Sequence, residues 1–278
     1  MASLRDLKKR LKGVQTTGQL AGAMKTVSTA KYARVSAVTT AYTPYAEACR
    51  AMFDTVGGNT GALEKDSGAK PLYLLISGNR GLCGGYNSEL ESYFYSHIVS
   101  SEGEKLFAAC GKTAIDYCRE KGIALEAEFR ISDVPSFTES KAVSDGMKDL
   151  FKRRDVSSVS FVCQNYINML KQVPSVIHFL PAENGEGIGD GGFIYIPDAA
   201  TVRDALAESC LDVDMYSLLL RCATGAQAAT MMAMRSAFDN ANESAATLET
   251  AINRRRQAEV TARVIETASD NRNEGGWN

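Results

Sequence analysis

The chain has 278 residues, 45% of them apolar and 23% charged, and a net charge of −2. That balance excludes global disorder and gives no overall electrostatic case for nucleic acid, while the length admits one large domain or two modest ones. Seven scattered cysteines, never spaced as CxxC, and only two histidines (His97, His178) exclude a metal-ligand cluster and point to a reducing compartment.

Taken in order, Ser3 is placed to cap a first helix, with Asp6 favourable in its opening turn. Leu4, Leu7, Leu11, Val14, Leu20, Met24 and Val27 continue a helical stripe to Ala46 or beyond, with Pro44 as the first proline. Gly18 and Gly22 share a face, either as tolerated weak points or as small residues admitting another helix. Before Val35 there are eight basic residues against the single acid Asp6. Such a run is a solvated face or a surface for an acidic partner. Glycines from Gly57 to Gly61 end this arm and begin a linker over 58–70.

The run from Pro71 to Ser77 reads as a strand covered on both faces. A glycine-rich turn follows, from Gly78 to Gly85, then a helix near 87–100. Further strands are expected at 105–110, 124–130, 158–163 and 174–180, with helices through Tyr117 and near 141–151. A last strand is read over 193–196, after a glycine-rich loop at 185–192. The alternation predicts a small α/β domain over 71–198 with a mostly parallel sheet.

Residues 199–278 form the second arm. From 226 to 274 there is no Gly or Pro, and a continuous helix there would be ~70 Å long. Met231, Met234, Phe238, Ala241, Ala245, Leu248, Ile252, Val260 and Val264 recur at helical spacing and form a seam for a partner helix. Because both arms leave the same body, their pairing is antiparallel. The fold class is therefore α/β, with a long antiparallel coiled coil of N- and C-terminal helices plus a small Rossmann-like domain.

The glycine-rich turn invites a phosphate reading, but Gly78-x-x-Gly81-x-x-Gly84 is not the dinucleotide pattern, and no acid ends the next strand to hold a ribose. Gly111-Lys112-Thr113 resembles the end of a phosphate loop, yet Leu106 stands where its first glycine belongs. Cys83 is either a reactive thiol at a helix start or a small apolar residue in a tight turn. No cofactor is expected. Two alternatives remain weaker: a nucleotide-dependent enzyme with oligomerising arms, and a nucleic-acid binder using the basic arm, which has little aromatic interleaving for stacking.

Three blocks carry a family resemblance. Leu11-Lys-Gly-Val-Gln-Thr-Thr17 with Ala23-Met-Lys-Thr-Val-Ser-Thr-Ala-Lys31 resembles the first helix of the γ subunit of F-type ATP synthases. Asn79-Arg-Gly-Leu-Cys-Gly-Gly-Tyr-Asn87 is similar to that family's central signature. Gln227-Ala-Ala-Thr-Met-Met-Ala-Met234 with Asn253-Arg-Arg-Arg-Gln-Ala-Glu-Val-Thr261 resembles its C-terminal signature.

The resemblance implies a non-catalytic rotor that couples c-ring rotation, driven by a proton or sodium gradient, to ATP synthesis or hydrolysis at β subunits. Its implied partners are the α and β subunits of the hexamer, the ε subunit (δ in mitochondria) and the c-ring. Met24 and Lys25 match positions facing an acidic β-subunit loop, Arg80 and Cys83 the turn near it, and Arg256 and Gln257 a pair on a β-subunit catch loop. The implied location is the cytoplasmic side of a bacterial plasma membrane, since no presequence is evident, or else the mitochondrial matrix side. Gln19, Gly22, Gly225-Ala226, Thr230, Ile252 and Arg263 depart from family habit. So does the polar tail from Asp270, which is expected to fray beyond the apolar sleeve of an assembled complex.

Overall fold

The computed structural model describes residues 3–56, 69–153, 155–181, 195–196 and 198–274. The elements in order are helix α1 (Leu4–Val56), strand β1 (Lys70–Ile76), helix α2 (Tyr86–Tyr93) running into a π-helical turn (Phe94–Val99), β2 (Leu106–Cys110), α3 (Lys112–Glu120), β3 (Ala127–Phe129), α4 (Phe137–Lys152), β4 (Val156–Asn168), β5 (Lys171–Leu180) and α5 (Ala199–Glu274). The chain divides into two compact units, one of residues 27–232 and one of 1–26 with 233–278.

In the larger unit the sheet order is β3-β2-β1-β4-β5. β1 lies parallel to β2 and β4, and β3 is parallel to β2. β5 is antiparallel to β4. The expectation of a mostly parallel sheet holds for four strands. The fifth is reversed because only a short turn joins it to β4, and a short turn permits nothing but a hairpin. β4 and β5 are also longer than the apolar runs indicated, since their outer halves alternate with polar residues.

β1 is the central strand, and its sequence explains why. Leu72, Leu74 and Ile76 enter one core with Val143 and Met147 of α4 and Met215 and Leu219 of α5. Leu75 enters the opposite core with Leu90, Phe94, Ala114 and Ile115. Successive side chains alternate faces, so a strand buried on both must be apolar throughout. Ser136 and Glu139 close a reciprocal capping box that starts α4 four residues before the apolar pattern suggests.

Also in this unit, α1 runs through Pro44. Proline inside a helix costs about 3 kcal/mol. Burial of Ala46, Cys49 and Phe53 against Ala207, Cys210 and Val213 of α5 offsets that cost. The described part of α1 ends at Val56. The expected loop at 185–192 and most of the linker lie outside the described residues, as do Phe193 and Ile194. Tyr195 and Ile196, read as the end of a strand, are not in one.

In the smaller unit the two termini pair antiparallel. Gly18 faces Ala241 and Gly22 faces Phe238, while Gln15 donates to Glu249 at 3.4 Å. A Cβ on Gly18 would stand 3.1 Å from that of Ala241, and one on Gly22 would stand 3.0 Å from the Phe238 ring. Both glycines thus serve close helix approach. The expected stripe holds at Leu4, Leu7, Leu11 and Val14, which are partly buried, and is corrected at Leu20. The seam passes through Gly18, Ala21 and Gly22, and leaves Leu20 exposed. Phe238, Ala241, Ala245, Leu248 and Ile252 are partly buried at three- and four-residue spacing. Val260 and Val264 are not covered by this chain, being 55% and 61% exposed. α5 continues to Glu274, so the polar residues from Asp270 are helical in this chain.

Candidate functional site

The crevice beyond the carboxyl ends of β1 and β4 is where an open α/β sheet of this order takes ligands, because connections leave those strands in opposite directions. Here the chain fills it. Gln164 of β4 donates its side-chain amide to the Tyr86 carbonyl at 2.9 Å, and the buried Tyr86 hydroxyl donates to the Cys222 carbonyl of α5 at 3.0 Å. Gly225 brings α5 close: a Cβ there would lie 3.4 Å from the Tyr86 ring and 3.6 Å from Tyr166. The unusual Gly225 therefore has a packing role against the first turn of α2 and the hairpin.

The start of α3 is equally occupied. Its first amides are those a phosphate would need. Lys112 N–H instead donates to Asn79 Oδ1 at 3.2 Å, and Thr113 N–H to the Gly78 carbonyl at 3.1 Å. The Thr113 hydroxyl also reaches that carbonyl, at 2.7 Å. The resemblance of Gly111-Lys112-Thr113 to a phosphate loop thus reflects a different job: it ties the glycine-rich turn to α3.

Arg80 and Cys83 sit in that turn with different fates. Arg80 is exposed, with Nε 3.7 Å from Asp133 Oδ2. Cys83 is buried, and burial raises its thiol above the ordinary value. A neutral buried thiol is a poor nucleophile, so the reading of Cys83 as small packing residue is the one its surroundings support. Leu82 (φ 63°) and Gly84 (φ 62°) carry the left-handed bends of the turn and leave Leu82 62% exposed.

Asp133, not singled out in the sequence, is the hub of this region. It accepts from Lys31 of α1 and from Asn79 Nδ2 at 3.3 Å, with Arg80 nearby. Burial raises its pKa, but the hydrogen bonds and cations outweigh burial and hold it below the ordinary range. Lys31 belongs to the basic run, so part of that run has a partner inside the chain. Nothing in the sequence marks Asp133, because its partners are 102 and 54 residues away.

A second unsignalled carboxylate, Asp212 of α5, accepts from Lys141 at 2.8 Å, Lys148 at 2.7 Å and the Ser144 hydroxyl at 2.6 Å, all on α4. Burial raises its pKa, and these three donors more than reverse that. Its folded pKa lies below its unfolded one, so its contribution is complete above about pH 4 and is lost as pH falls through the folded value. Replacing Asp212 with Asn is expected to cost about 1–2 kcal/mol at neutral pH, less than a fully dry pair because Lys141 is half-exposed. Urea unfolding of both chains should show that gap closing below about pH 4. A gap independent of pH would exclude this account.

In the smaller unit, Lys25 of α1 faces Phe238, with its Nζ 4.9 Å from that ring's centroid, and Met24 beside it is partly buried. Arg256 and Gln257 are both exposed on α5, next to the Arg255–Glu259 pair at 3.7 Å. Among the described residues no group of His, Cys, Asp and Glu could hold a metal, and no helix is long and apolar enough to cross a membrane.

A sheet whose ligand crevice is closed by the chain's own helix, together with terminal helices that pair with each other, defines a structural helical-arm protein. A family model described as ATP synthase matches residues 3–269. The ATP synthase gamma chain of Desulforamulus reducens is 30% identical, covering 96% of this chain and 97% of its own length. That of Rubrobacter xylanophilus is 29% identical over 97% of each. A solved Euglena gracilis mitochondrial ATP synthase assembly contains a chain that superposes with a TM-score of 0.71 at 17% identity, covering 96% of this chain and 93% of that one. The chain belongs to the ATP synthase gamma-chain family. It is a non-catalytic rotor subunit.

Proposed function

We propose that this chain works as the turning shaft between a membrane-embedded c-ring and an α3β3 hexamer, with an ε-type subunit beside it. Residues 1–57 and 199–278 are the shaft helices, 58–70 a linker and 71–198 the foot. The coupling is mechanical: an asymmetric coil presents different faces to successive β subunits and stabilises a different conformation of each. Met24, Lys25 and Arg80 meet an acidic β-subunit loop, and Arg256 and Gln257 meet a second loop. Cys83 packs the turn that carries Arg80. The chain sits peripherally on the membrane, on the cytoplasmic side of a bacterial cell.

The observation that carries this reading is the exposed end of α5. Val260 and Val264 are 55% and 61% exposed, beside exposed Arg256 and Gln257. A helix with an apolar stripe that its own chain leaves bare is built to be enclosed by something else. A tagged copy drawn from native membranes should bring down α-, β- and ε-type subunits with a c-type proteolipid, each identified by mass. Recovery of the chain alone, or with nucleic acid, would sink the proposal.

A further inference from the structure

The seven cysteines are free thiols. Two of them, 161 residues apart, meet across the helix pair of the larger unit: Cys49 Sγ of α1 lies 2.9 Å from Cys210 Sγ of α5. The Cys210 thiol also points at the Cys49 carbonyl, 3.4 Å away. Both sit in the cluster of Ala46, Phe53, Ala207 and Val213 that holds the end of α1 on the start of α5. We propose that Cys49 and Cys210 form a reversible disulfide, a covalent staple between the two helices that closes a loop containing the whole sheet.

The geometry needs little movement, since the sulfurs are within about 1 Å of bonding distance and lie on facing helices. Access comes from one side. Cys210 lines a groove of about 680 Å³ that is also bordered by Arg50, Asp214, Leu211 and Phe179. A second thiol pair, Cys163 with Cys222, is hydrogen-bonded in the core between the sheet and α5. Cys163 is wholly buried, and neither member of that pair borders the groove that Cys210 lines. Burial, then the bond with Cys49, raises the Cys210 thiol, so little thiolate is present at neutral pH and exchange is slow.

The chemistry balances with a small-molecule disulfide as oxidant. One protein thiolate attacks the glutathione disulfide and expels one glutathione thiolate, leaving a mixed disulfide. The second thiol gives up its proton to solvent and displaces the other glutathione. Two electrons and two protons leave the protein, and two reduced glutathiones form.

The test incubates the intact wild-type chain with oxidised glutathione for hours at neutral pH, then blocks free thiols and maps disulfides in a non-reducing digest. The expected result is a Cys49–Cys210 linked peptide, a mass lower by about 2 Da, and reversal by dithiothreitol. Closing so long a loop should also raise the midpoint of thermal unfolding by on the order of 5 °C, a gain abolished in Cys49→Ala and in Cys210→Ala. Glutathione adducts without the linked peptide, or a link confined to Cys163 and Cys222, would overturn the proposal. The mapping uses wild-type protein, so it stands even if either alanine variant folds poorly.

Discussion

Gly111→Ala is expected to destabilise the larger unit by about 3 kcal/mol or more. Gly111 has φ +94°, a backbone region that L side chains rarely enter. A Cβ there would stand 2.2 Å from the Ser77 carbonyl oxygen, 3.1 Å from its carbon and 3.3 Å from the Gly78 oxygen. All three are backbone atoms, so a rotamer change cannot relieve the clash, and β1 or α3 must move. The movement would break the bonds of Lys112 and Thr113 to the glycine-rich turn.

Gly103 supplies the control. It has the same φ of +94°, and an added Cβ there would meet nothing within 4 Å. Gly103→Ala therefore carries only the conformational cost, about 1 kcal/mol. Urea unfolding of the two variants separates backbone strain from close approach. Equal losses would mean that the contact with Ser77 is unimportant.

The second large effect is on coupling and leaves the fold alone. Arg256→Glu with Gln257→Glu is expected to cut rotation-coupled ATP turnover of the reconstituted complex about tenfold, near 1.4 kcal/mol of lost interaction. Both side chains are exposed in this chain, so the stability of the isolated subunit should not change by more than about 0.5 kcal/mol. Assembly should persist, because the pair occupies a small part of a long helix. Turnover equal to wild type would remove both residues from the contact set. A matching loss of stability would assign them a structural role instead.

The sequence was most informative where a constraint is local or periodic. β1 could be read because a strand buried on both faces must be apolar at every position. The helical arms could be read because their spacing repeats over many turns and residues 226–274 contain neither Gly nor Pro. The glycine-rich turn could be located, but its use could not. Whether Gly111-Lys112-Thr113 cradles an anion or a neighbouring turn depends on what faces those amides, and Asn79 and Gly78 lie more than thirty residues earlier. The seam of α1 was misplaced at Leu20 for a related reason. Periodicity favours large apolar residues, yet the helices approach closest where Gly18 and Gly22 leave room, and Leu20 turns outward.

What the sequence by itself determined was most of the elements, the antiparallel pairing of the arms and, through three short blocks, the family. Those follow from side-chain periodicity, backbone preference and residue order, all of which are written along the chain. Only the tertiary structure decided that α5 closes the sheet's crevice through Tyr86 and Gly225. It alone made Asp133 and Asp212 the centres of charge networks, and set Cys49 against Cys210. Those outcomes rest on contacts between residues tens to hundreds of positions apart, and short-range pattern carries no record of which distant atoms meet.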